Sequence, residues 1–152
     1  MSGNNYAQGL QTFYGVDNSE SDGTYYSQAD DIYYMMIYPG SGLPFSSPIL
    51  DTHHLDGYTV TTKDSTPNSN DPSPPLTVMT MVESNFSREI NGKTYNNVIH
   101  TSVDVQEAFN GYYMSIQTYE FYFVQGIGLI EIDKSNAGYI YDTLTIVNYK
   151  VK

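Results

Sequence analysis

A chain of 152 residues without cysteine is most simply one domain, residues 1–152, folding on a hydrophobic core alone, with disulfides and thiolate metal sites excluded. Its 17 acidic and 6 basic residues give a net charge of -11, so phosphate backbones and anionic membranes are repelled and nucleic acid is not expected as a partner. No apolar run reaches the length of a membrane-spanning helix. The opening MSGNNYAQG reads as a flexible start standing in place of an export signal.

Helical periodicity is almost absent. Alternating, β-rich runs predict strands at 11–16, 24–27, 32–38, 58–63, 76–90, 93–105, 112–124, 129–133 and 138–151. The 16 tyrosines, with no tryptophan, suit half-exposed strand faces, because the ring is apolar and the hydroxyl stays wet. After the first strand, DNSESDG places Asp17, Glu20 and Asp22 in one acidic turn. That turn is a candidate for calcium, although its spacing is not that of an EF-hand loop and a solvated turn is the ordinary reading. YYMMIY follows, and its Tyr33 and Tyr38, with Tyr119 and Tyr122 of YEFYF, offer a contact surface for protein or glycan. Apolar residues on both alternating faces of these runs also fit strands buried on two sides.

DTHHLDG supplies the one transition-metal pattern. On a strand, His54 and Asp56 would share a face, and His100 from another strand would complete a two-histidine, one-carboxylate set. The plain alternative is a polar loop before Tyr58. Asp64 to Pro75, DSTPNSNDPSPP, holds four prolines and must be a loop. Asn91-Gly92 and Asn110-Gly111 then mark two-residue hairpin turns, because both central positions of a type I′ turn need positive φ. In FYFVQGIGLIEID, Gly126 and Gly128 interrupt a strand-like run and predict a bend or bulge. A phosphate cradle would need a third glycine and a following helix. Neither a nucleophile elbow nor a cysteine is present, and Glu120 with Glu131 reads as a solvent-facing pair rather than a glycosidase dyad.

Two stretches of the C-terminal half, INGKTYNNVIHTSVDV with Tyr95, Val98 and Ile99 at its apolar places and YEFYFVQGIGLIEID, resemble secreted lipoprotein-like envelope proteins of the Bacteroides type. The close YDTLTIVNYKVK is similar to the final strand of such proteins, so the likeness covers about residues 78–150. The resemblance implies a curved antiparallel sheet, export, and a lipid anchor on a cysteine outside this sequence. It brings no catalytic residues.

The expectation is therefore an all-β fold: a curved antiparallel meander, as a sandwich or partly open barrel. Its expected role is structural or recognitive, not enzymatic, in the periplasm or at the bacterial cell surface. A protein partner, a second copy of the chain or a glycan would be the contact, with no resident cofactor except calcium. Two alternatives remain: a metal-dependent enzyme at His54, Asp56 and His100, and a periplasmic carrier of an apolar ligand.

Overall fold

The computed structural model describes residues 12–14, 26–29, 32–37, 45–54, 56–63, 75–136 and 139–148. All regular structure among them is strand: β1 (Thr12–Tyr14), β2 (Tyr26–Ala29), β3 (Ile32–Ile37), β4 (Phe45–Asp51), β5 (Thr59–Lys63), β6 (Leu76–Ile90), β7 (Lys93–Phe109), β8 (Tyr112–Val124), β9 (Gly128–Asn136) and β10 (Tyr139–Asn148). They form two antiparallel sheets, one of seven strands in the order β1-β10-β9-β8-β7-β6-β5 and one of three in the order β2-β3-β4. The larger sheet is open, with β1 and β5 at its edges. The chain is all-β, as its alternation predicts.

Local chemistry sets the connections. Asn91 and Gly92 stand at φ 51° and 77°, and Asn110 and Gly111 at 50° and 83°, the paired left-handed conformations of type I′ turns. Between β8 and β9 the Val124 carbonyl accepts from the Ile127 N–H at 3.1 Å. Gly126, at φ 79°, occupies the position where a type II turn requires positive φ. No atom would crowd a side chain at Gly126, so this glycine is required by backbone conformation and not by a close approach of the facing chain.

β4 is not among the strands that alternation predicts. Its FSSPILD contains Pro48, which cannot donate to a ladder, and Pro48 stands opposite Tyr34 where the β3–β4 register slips. β7 also runs further than its pattern suggests, to Phe109, carried by pairing with β8.

The core lies on one face of the seven-stranded sheet. Thr101, Val103 and Val105 of β7 alternate inward beside Tyr119, Phe121 and Phe123 of β8, with Met79, Met81, Ile132 and Leu144 from flanking strands. β4 covers this face: Ile49 is fully buried, and its carbonyl accepts from the buried Thr101 hydroxyl. That bond satisfies a polar group that would otherwise be costly to bury.

The other face is closed by the β6–β7 hairpin bending back over its own sheet. Neighbouring strands lie about 4.8 Å apart, so a flat sheet would hold β6 three strand spacings from β9. Arg88 of β6 nevertheless reaches Glu131 and Asp133 of β9, and Asn91 at the tip donates to Thr145 of β10 at 3.2 Å. Register slips beside Met81, Ser84 and Phe86 make the bend, with Asn85 and Asn97 at φ 61° and 54°. Each bulge adds curvature and twist, and asparagine tolerates the left-handed conformation.

Candidate functional site

Under the curled hairpin, Arg88 lies over the Tyr122 ring, 3.5 Å from its centroid, and His100 stacks on the same tyrosine at 4.5 Å. The Arg88 Nε donates to Glu131, and its Nη2 donates to Asp133 at 3.1 Å. Asp133 also accepts from the Thr143 hydroxyl at 2.7 Å, and Glu120 accepts from Ser102 at 3.0 Å while standing 2.7 Å from His100 Nε2. Burial pushes the Glu131 carboxyl above its ordinary range, with Arg88 opposing and Asp133 reinforcing the shift. Burial likewise pushes the Tyr122 hydroxyl up to about 12 against the pull of Arg88. Each of these carboxylates is engaged by the chain itself, so the cluster works as a clasp that holds hairpin to sheet.

The clasp overturns one sequence expectation, since Glu131 is buried and not solvent-facing. It also absorbs His100, which pairs with Glu120 in the sheet. His54 and Asp56 sit on the turn after β4, not on a strand. His54 Nδ1 lies 2.7 Å from the buried Asp51 carboxylate and its ring stacks on Tyr58 at 3.6 Å, while Asp56 accepts from the Ser84 N–H at 3.2 Å. The structure does not bring the three together, and the described residues contain no group of three or more His, Asp or Glu placed to hold a metal. Asp17, Glu20 and Asp22 lie outside the described residues. Gly126 stands in the turn joining β8 to β9, and Gly128, at φ 98°, opens β9.

The expected tyrosine surface is also corrected. Tyr119 and Tyr122 are buried and Tyr33 is half-buried, because alternation points them into the core or under the clasp; Tyr38 lies outside the described residues.

Exposed aromatic surface lies instead at the far end of the β7–β8 hairpin. Described pairing of β6 with β7 begins at Gln106, and that of β9 with β8 at Thr118. Among the described residues the hairpin therefore projects beyond both neighbours. Phe109, Tyr112 and Met114 are 63%, 77% and 55% exposed there, and Tyr139 and Ile140 of the adjacent β9–β10 hairpin are exposed at the same end. Phe109 faces Tyr112 and Glu107 faces Met114, so these four residues share one face of the ribbon. That face continues the row Thr101, Val103, Val105, as if the core ran out into solvent. On the opposite face Asp104 accepts from Ser115, Gln106 and Thr118, and nearer the tip stand Ala108 and the exposed Tyr113. The sequence signal was present in FNGYYM, but the turn motif Asn110-Gly111 identifies a hairpin without showing that it projects. A search of protein-family models, of curated proteins and of solved structures returned no match to this chain.

Proposed function

We propose that the protein is a non-enzymatic recognition domain, exported to the periplasm or cell surface of a bacterium, that binds a protein partner through the end of its β7–β8 hairpin. One observation carries the reading: three large apolar side chains stand exposed on one face of a hairpin that projects beyond its sheet. Exposed apolar residues grouped in this way, with polar groups around them, mark interaction surfaces, and Tyr and Met are enriched in interface cores. Export is an expectation from the sequence alone, resting on the resemblance of about residues 78–150 to envelope lipoprotein-like proteins. The net charge of -11 argues against an anionic membrane as the target.

Photo-crosslinking in intact bacterial cells tests this. The full chain would carry a photoreactive phenylalanine at Tyr112, or at Glu89 near the opposite end as control. The expected result is one dominant adduct from position 112, none from 89, and loss of the adduct when Phe109 and Met114 become serine. Equal labelling from both positions, or none from 112, overturns the reading.

A further inference from the structure

Within the exposed face of the β7–β8 hairpin, one residue is out of character. Glu107 stands directly opposite Met114, two residues from Phe109 and beside Tyr112, so a carboxylate is set among three apolar side chains. The two acids nearest the end of this hairpin, Asp104 and Glu107, differ in how they are satisfied. Asp104, on the other face, accepts from three side-chain donors. Glu107 makes no hydrogen bond or ion pair among the described residues and is exposed. No lysine or arginine occurs in the sequence between Lys93 and Lys134, so the projecting end of the hairpin carries neither.

A partner that covers Phe109, Tyr112 and Met114 must also dehydrate Glu107. An uncompensated buried carboxylate costs several kcal/mol, so an apolar partner surface alone would lose much of what the aromatic contacts contribute. A second copy of this chain would bring another Glu107 and another net charge of -11 to the same place. The surface is complementary to a basic side chain: a long aliphatic stem to lie against Met114, a cationic head for Glu107, and aromatic faces for cation–π contact.

We propose, resting on the recognition reading above, that the partner protein inserts an arginine side chain into this face. Its guanidinium pairs with Glu107, and its stem and plane pack between Tyr112, Met114 and Phe109. Arginine fits better than lysine because its guanidinium is more weakly hydrated, stacks on aromatic rings and presents a fork of donors to a carboxylate.

The test uses the full chain and a short synthetic probe, acetyl-Val-Arg-Val-amide, with acetyl-Val-Glu-Val-amide as its opposite. Binding is followed by the NMR signals of the Met114 methyl and the Tyr112 ring. The arginine probe is expected to shift both saturably, and to bind about tenfold more weakly to Glu107→Gln and in high salt. Glu107→Arg is expected to reject the arginine probe and accept the glutamate probe. Glu107 is exposed, so both variants should fold, and an unchanged amide spectrum outside the hairpin checks this. If the two probes bind alike, or Glu107→Gln changes nothing, the arginine proposal falls. The recognition reading then stands or falls separately on the crosslinks at Tyr112.

Discussion

Arg88 is the single cation between Glu131 and Asp133, two carboxylates that the curled hairpin removes from water. Replacing it with methionine keeps much of the apolar stem but leaves those charges without their partner. Breaking a buried pair in this way costs about 3 kcal/mol, to be read from urea unfolding at neutral pH. The loss should depend on pH in a definite sense. Glu131 is already pushed upward by burial, and removing Arg88 takes away the influence that lowers it. An acid whose folded pKa exceeds its unfolded value holds its proton more tightly when folded, so its stabilising contribution is present at low pH and is lost as pH rises through the raised value. Arg88→Met should therefore lose less stability near pH 4 than near pH 8. Tyr122 gives a second window by the same sign. Its hydroxyl titrates near 12 when folded and near 10 when unfolded, so stability should fall between those values. Tyr122→Phe should remove that part of the alkaline decline in a denaturation series.

At the scale of elements, Gly126 tests whether the β8–β9 connection needs glycine for its backbone. Nothing would touch an added methyl group, so any cost of Gly126→Ala comes from φ 79° alone. About 1 kcal/mol is expected by thermal or denaturant unfolding, with Gly126→Asn costing less because asparagine tolerates that conformation. The meander was legible in the sequence because its hairpins are specified locally, by Asn-Gly pairs between alternating runs. β4 was not legible, since Pro48 and two serines speak against a strand until β3 and the core beneath it are in place. The clasp was hidden for another reason. Arg88 and Glu131 are 43 residues apart, and only a hairpin that bends over its own sheet brings them together. Local patterns carry no record of such a bend except the asparagines that permit it. The His54, Asp56 and His100 pattern failed in the opposite direction, because its spacing assumed a strand where the chain turns.

For the whole molecule, charge governs association. A net charge of -11 makes copies of the chain repel one another at neutral pH, and the aromatic hairpin end supplies an opposing attraction. Lowering the pH toward the sequence pI near 4.3 removes that repulsion. Light scattering should then rise, and less so when Phe109 and Tyr112 are both serine, because the exposed face supplies the attraction. The pairing of β1 with β10 gives the molecule a polarity. Thr12 stands beside Asn148, and β10 runs toward this point away from the end where the β7–β8 hairpin projects. At about 3.3 Å per residue, the two ends of the described chain lie about 40 Å from Phe109 along the strands. A tether attached beside Thr12 or Asn148 would leave the proposed arginine-binding face free at the far end of the sheet, like a probe held by its handle.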